Sequence, residues 1–72
     1  IGIKELGGGN YAMFTYRGAY ENLDTVYQLI FDEWLFNSSY ELRDAEVFDK
    51  YLNTADRVSK EDLLTQIYIP IQ

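Results

Sequence analysis

One carboxylate stands between two aromatic residues in the sequence EVFDKYLN, where Asp49 follows Phe48 and precedes Tyr51 by two positions. Residues two apart in a strand point to the same face, so Asp49 and Tyr51 are expected to lie together. A carboxylate in an aromatic-walled cavity is costly to desolvate, and a bound cation offsets that cost. Each ring face adds about 0.5 to 2 kcal/mol of attraction for an organic cation. The pattern predicts a site for flat, lipophilic cations, and the commoner alternative is an exposed strand acid paired with Lys50 or Arg17.

Composition excludes most other chemistry within this chain. The 72 residues include no His and no Cys, which removes a Ser-His-Asp triad, a Cys nucleophile and the usual zinc sites. No calcium-loop spacing of acids is present, so neither a metal nor a cofactor is expected. The net charge of −6 and the scattered positions of six Lys and Arg residues argue against nucleic acid contact by this segment.

Hydropathy and residue usage also bear on location. The longest uninterrupted apolar run, residues 67–71, is far shorter than the approximately 18 residues that a membrane span requires. The absence of Cys and of a leader-like segment favours a cytoplasmic location without membrane contact. The first residues, Ile-Gly-Ile without an initiator Met, suggest a piece of something longer.

The elements that must position Asp49 follow an α+β pattern. Strands are predicted at residues 1–6, 11–17, 47–52 and 64–69, and one helix at residues 19–35. The Gly-Gly-Gly-Asn sequence at residues 7–10 is typical of a hairpin turn, residues 40–45 show no period, and Pro70 belongs at a strand end or sheet edge. The order strand, strand, helix, strand, strand predicts an antiparallel sheet with one covering helix. The sheet's other face must meet water, a ligand or another subunit.

The expected core lies between the helix and the last strand. One helical stripe holds Tyr20, Leu23, Tyr27, Ile30, Phe31 and Trp34. If Ile67 and Ile69 pack beneath it, Tyr68 must point the opposite way. The pairing register does not follow from sequence, so placing Asp49 and Tyr51 on the Tyr68 face is a working hypothesis.

An ordered set of motifs resembles a known family. It comprises YAMFTYRGAYENL at residues 11–23, EWL at 33–35, YELRD at 40–44, FDKY at 48–51 and QIYIPI at 66–71. Together these look like the C-terminal half of the GyrI-like (gyrase-inhibitor-like) small-molecule-binding domain. The resemblance implies two pseudo-symmetric strand-helix-strand-strand units with a ligand groove between them. Such domains occur alone or beside helix-turn-helix regions in multidrug-sensing regulators of the AraC and MerR types.

The resemblance also implies site residues and shows three departures. The family's acidic pocket residue, in a Phe-Glu-x-Tyr motif, corresponds to Asp49, and its aromatic wall corresponds to Trp34 and Tyr68, with Tyr16 where the family often has His. Asp in place of Glu withdraws the carboxylate by about one methylene, and Tyr16 replaces an ionisable ring. Residues 1–72 correspond to a single half-domain, so a second copy of the fold, as a homodimer or as an N-terminal repeat, is expected to complete the groove.

The expected function is an effector-binding module that captures lipophilic, cationic small molecules as part of a transcription regulator. Two alternatives stay open. The chain could be a small-molecule hydrolase in which Asp49 activates water beside Tyr51, so the sequence leaves enzymatic activity undecided. It could also be an interaction module that inhibits another protein through exposed acids such as Glu41 and Asp44.

Overall fold

Four antiparallel strands form one sheet in the computed structural model, which describes residues 2–72. The strands are β1 (Gly2–Leu6), β2 (Gly9–Arg17), β3 (Phe48–Tyr51) and β4 (Leu64–Ile71), in the sheet order β1-β2-β4-β3. A helical segment covers one face, which confirms the predicted α+β class. β3 is shorter than predicted and β4 is longer. The part of the first strand prediction that falls on Ile1 lies outside the described residues.

The turn of the first hairpin consists of two glycines rather than the four residues predicted at positions 7–10. Gly7 and Gly8 have φ values of 58° and 84°, in the left-handed region that glycine adopts without steric cost. Two consecutive residues with positive φ produce the turn whose twist matches antiparallel strands. β2 therefore begins at Gly9, which pairs with Leu6, two residues before its predicted start.

The predicted helix is present, but its geometry changes along its length. A 3₁₀ turn (Tyr20–Asn22) leads into the α-helix α1 (Leu23–Leu29), which continues as a π-helical stretch (Ile30–Leu35). Wide π turns are rare and occur often at functional sites. Within the described part of the chain, no helix is long and apolar enough to cross a membrane.

The core lies where the helical segment meets β2 and β4. Ala12, Ile67, Ile69 and Ile71 are almost completely buried, and Ile30 is 5% exposed. Half-buried side chains pack around them, namely Phe14, Leu23, Val26, Tyr27, Phe31 and Trp34. The predicted stripe and the isoleucine side of β4 are thus confirmed, except that Tyr20 is 37% exposed and lies outside this cluster.

One arginine attaches the loop after the helix to the sheet. The Arg43 side chain donates from Nε to the Ile71 carbonyl and from Nη2 to the Asn10 carbonyl, each at 3.1 Å. Its guanidinium lies 4.9 Å from the Tyr11 ring centroid, and its backbone N–H donates to the carbonyl of Pro70 at 3.1 Å. A stretch without periodicity in sequence is therefore fixed in place. Pro70 lies one residue from the end of β4, as predicted for a residue without a backbone donor.

Gly9 leaves the space that Arg43 occupies, and this generates a prediction. A Cβ at Gly9 would collide with the Arg43 guanidinium, whereas a Cβ at Gly2 would meet nothing within 4 Å. Gly9→Ala should displace the guanidinium, which ends a flexible side chain, and lower the free energy of unfolding by up to about 1 kcal/mol, because its hydrogen bonds to two carbonyls are weakened. Gly2→Ala is the matched control and should be neutral or slightly stabilising. Urea denaturation measures both, and equal stability of the two variants would contradict the role of Arg43.

Candidate functional site

The register of β3 places Asp49 and Tyr51 on the side covered by the helix. Asp49 pairs with Ile67 and Tyr51 pairs with Thr65 across the β3–β4 ladder. Directly opposed residues point to the same side of a sheet, and Ile67 belongs to the core beneath the helical segment. The prediction that Asp49 and Tyr51 share a face is confirmed.

Tyr68 lies on the other face of the sheet. It pairs with Met13 on one side and Phe48 on the other, and its ring stacks on the Phe48 ring at a centroid distance of 4.6 Å. The hypothesis that Asp49 and Tyr51 lie on the Tyr68 face is therefore wrong, although Tyr68 itself points away from the helix as expected. The physical reason is the register of β3: Asp49 pairs with the buried Ile67, and Phe48 pairs with Tyr68, so Asp49 lies on the helix side.

A helix residue that the sequence assigned to the core contacts Asp49 directly. The Tyr27 O–H donates a hydrogen bond to Asp49 Oδ1 and links α1 to β3. A buried Tyr hydroxyl usually requires a polar partner, so the sequence indicated that Tyr27 needs one. The helical period does not show which residue that partner is. The alternative pairing of Asp49 with Arg17 does not occur, because Arg17 forms an ion pair with Asp62.

The carboxylate of Asp49 is half-buried and has no cationic partner among residues 2–72. Burial raises the pKa of Asp49 above its ordinary value, since desolvation disfavours the charged form. The hydrogen bond from Tyr27 favours the ionised form, and the net direction is still upward. A carboxylate in this state can be stabilised by a proton or by a cation.

Two exposed tyrosines meet at the end of β3 that follows Asp49. The ring of Tyr51 is 57% exposed and lies 5.1 Å from that of Tyr20, measured between centroids. The Tyr20 hydroxyl donates a long hydrogen bond of 3.4 Å to the Asn53 carbonyl. We refer to Asp49, Tyr51, Tyr27 and Tyr20 as the Asp49 cluster. It presents one acid beside rings contributed by both the helical segment and the edge strand.

Tyr16 lies on the helix side but away from Asp49. It pairs with Thr65, whose other neighbour is Tyr51, so Tyr16 and Tyr51 stand two strands apart, a separation of roughly 10 Å. The Tyr16 hydroxyl donates to the Ala19 carbonyl at 3.0 Å. It lines an open cavity of about 420 Å³ near the start of the helical segment, together with Gly18, Ala19, Glu21 and Lys60.

Trp34 also lies on the helix side, within the π-helical stretch. Its ring meets the Phe14 ring edge-on at 4.9 Å and stacks on the Tyr40 ring at 5.7 Å. Phe14 and Asp49 pair with opposite sides of Ile67. The five predicted site residues therefore form three groups. Asp49 and Tyr51 lie together on β3, Tyr16 and Trp34 lie near β2, and Tyr68 lies on the far face of the sheet.

Comparison with known proteins gives a consistent match. The family model described as the GyrI-like small molecule binding domain matches residues 1–72. The chain is 31% identical over 67 residues to the "Probable transcriptional regulator YgiV" of Escherichia coli K12, and the protein of that description from Escherichia coli O157:H7 gives the same values. Each alignment covers 93% of this chain and 42% of the relative. The chain thus spans less than half the length of these relatives.

The raised pKa of Asp49 generates a prediction about pH. Free Asp has a pKa of roughly 3.9, so the folded chain holds this proton more tightly than the unfolded chain does. The resulting stabilisation is complete below the unfolded pKa and is lost as pH rises through the folded pKa. Asp49→Asn stays neutral, so it should gain stability relative to the wild type as pH rises from about 3 to 7.

Asp62 provides a control of opposite sign. Its hydrogen bond with Arg17 lowers the pKa of Asp62, so its contribution is present above the unfolded pKa and is lost as pH falls through the folded pKa. Asp62→Asn should therefore lose stability relative to the wild type as pH rises over the same range. Urea midpoints at several pH values distinguish the two, and parallel curves for both variants would refute the assigned burial effect.

Proposed function

Since the chain belongs to the GyrI-like small-molecule-binding domain family, we propose that it is the effector-binding module of a transcription regulator and captures lipophilic cations. The observation that carries this proposal is the half-buried Asp49 carboxylate, which accepts a hydrogen bond from Tyr27 and has no cationic partner in the described chain. The relative's description as a transcriptional regulator supports the regulatory context. The proposal extends to multidrug sensing, and a regulator of this kind acts in the cytoplasm.

Charge and rings together define the ligand class. A cation placed beside Asp49 recovers the energy lost when that carboxylate was partly desolvated. The Tyr51 and Tyr20 rings supply apolar area and cation–π attraction of about 0.5–2 kcal/mol each. The few directed hydrogen bonds in this arrangement suit flat, lipophilic cations of varied shape better than a single polar metabolite.

A second copy of the fold is part of the proposal. Tyr51 is 57% exposed, so the Asp49 cluster is open to solvent at this residue. The outer edge of β3 has no neighbouring strand in the sheet, and the chain spans 42% of its relatives' length. We treat residues 1–72 as one half-domain whose groove is completed by a second chain or by another repeat of a longer protein.

Cation capture is tested with a fluorescent dye cation and a neutral dye of the same ring system. The wild type should bind the cation with micromolar affinity and the neutral dye far more weakly. Asp49→Asn should weaken cation binding about tenfold or more, because it removes the opposite charge while keeping the side-chain shape. Binding should strengthen as pH rises through the Asp49 pKa, since the proton and the cation compete for the same group.

Two variants control for indirect effects. Asp62→Asn removes an exposed carboxylate of the 3₁₀ turn Lys60–Asp62, between β3 and β4, and should leave cation binding unchanged. Tyr68→Phe alters the far face of the sheet and should also have no effect. Equal losses in Asp49→Asn and Asp62→Asn would reduce the effect to general electrostatics. Turnover of an electrophilic substrate that disappears in Asp49→Asn would instead favour the hydrolase alternative.

Association of two chains has its own test. Sedimentation velocity across a concentration series should show a monomer–dimer equilibrium that shifts towards the dimer when the dye cation is present, because ligand binding and dimerisation are thermodynamically linked. Tyr51→Ser should weaken both dimer and dye binding. A strictly monomeric chain that binds the cation would remove the second copy from the proposal but leave the role of Asp49 intact.

A further inference from the structure

The sheet face opposite the helix concentrates positive charge that is scattered in the sequence. Lys4 pairs with Tyr11, Arg17 with Leu64, and Lys50 with Gln66, which places all three cations on the face away from the core. Arg43 joins them over the Tyr11 ring. Four of the chain's six Lys and Arg residues therefore gather on one surface, which we call the basic sheet face.

The acids of the described strands lie on the opposite side. Only two occur, Glu5 and Asp49, and their partners Asn10 and Ile67 alternate with the residues of the basic sheet face. Arg17 is compensated by Asp62 from a loop. Lys4 and Lys50 form no ion pair with any residue from 2 to 72. Among the strand residues, the basic sheet face thus carries cations and no acid.

Apolar side chains fill the centre of the basic sheet face. Tyr68 pairs with Met13 and Phe48 in the middle row, and Tyr11 contacts Phe48 edge-on at 5.4 Å. Phe48 remains 39% exposed. On one side of this middle row, Lys4 pairs with Tyr11 and Arg43 lies over the Tyr11 ring. On the other side, Lys50 pairs with Gln66. The surface is an apolar centre with cations around it.

We propose that the basic sheet face docks an acidic, amphipathic segment of a protein partner. Such a segment places apolar side chains against Phe48 and Met13 and carboxylates beside Lys4, Lys50 and Arg43, which is complementary in both charge and polarity. Charge complementarity at short range selects against cationic partners, which the Lys and Arg side chains of this face repel. This docking surface is independent of the cation site, because it uses the other face of the sheet.

Two other occupants fit less well. A nucleic acid lacks the apolar side chains that would cover Phe48 and Met13, and the Phe48 and Tyr68 rings stack on each other with an interplanar angle of 7°, so their shared faces are not free for bases. A second copy docked through the same face would oppose two sets of Lys and Arg side chains, which repel each other.

The proposal is tested with a synthetic peptide of defined chemistry. Residues 20–37 of this chain, made as a free peptide, carry four carboxylates, no Lys or Arg, and an apolar helical stripe. The control peptide replaces each Glu by Gln and each Asp by Asn. Fluorescence anisotropy of labelled peptides should show binding of the acidic peptide to the full chain, and at least about tenfold weaker binding of the neutral peptide.

Charge reversal locates the binding surface. Lys4→Glu with Lys50→Glu should weaken acidic-peptide binding about tenfold, whereas Lys60→Glu, an exposed cation beside Glu21, should have little effect. Thermal unfolding verifies that the variants fold, and dye-cation binding should be retained in all of them. Absence of peptide binding, equal loss in Lys60→Glu, or tighter binding of single-stranded oligo-dT than of the acidic peptide would overturn the proposal.

Discussion

The structure depends on β4, a strand that is buried on both faces. It pairs with β2 over eight positions and with β3 over four. Ile67, Ile69 and Ile71 lie under the helical segment, while Tyr68 and Pro70 are buried on the other face. Burial of each such side chain contributes about 1.5–3 kcal/mol, which is a large share of what a 72-residue chain can gain. The strand even tolerates the buried Thr65 hydroxyl, which finds no hydrogen-bond partner within residues 2–72.

Because β4 fixes the register of its neighbours, it also decides which chemistry appears on each face. β3 is four residues long, yet it gives Asp49 and Tyr51 to the helix side and Phe48 and Lys50 to the other side. A shift of one residue in its pairing with β4 would exchange the two sets. The acid with its tyrosines and the cations with their apolar centre are therefore consequences of the same ladder.

Local sequence patterns predict which residues of one strand or helix share a face, but not which residues of different elements come into contact. The strands, the helical stripe and the shared face of Asp49 and Tyr51 follow from local periods of two and 3.6 residues. The position of Tyr68 relative to Asp49 depends on which strands pair and in which register, and that is a property of the whole sheet. The Tyr27 hydrogen bond likewise depends on how the helix lies on β3.

Two further features escaped prediction for related reasons. The π-helical stretch that carries Trp34 arises from packing over the sheet, since the apolar spacing of that region is equally compatible with an α-helix. The basic sheet face could not be predicted, because Lys4, Arg17 and Lys50 are far apart in sequence. They meet only after antiparallel pairing places alternate residues of three strands on one side.

The Tyr27 contact bears on how a cation could bind without rearrangement. A carboxylate can accept about four hydrogen bonds, and Tyr27 occupies Oδ1 of Asp49. Oδ2 makes no hydrogen bond to the described protein, so a cation beside it does not have to displace Tyr27. The link between α1 and the short edge strand can therefore persist in the bound state, and the acid is already oriented before the ligand arrives. Preorganisation of this kind lowers the entropic cost of binding. This matters here because a small, partly open site has only a limited contact area to offset that cost.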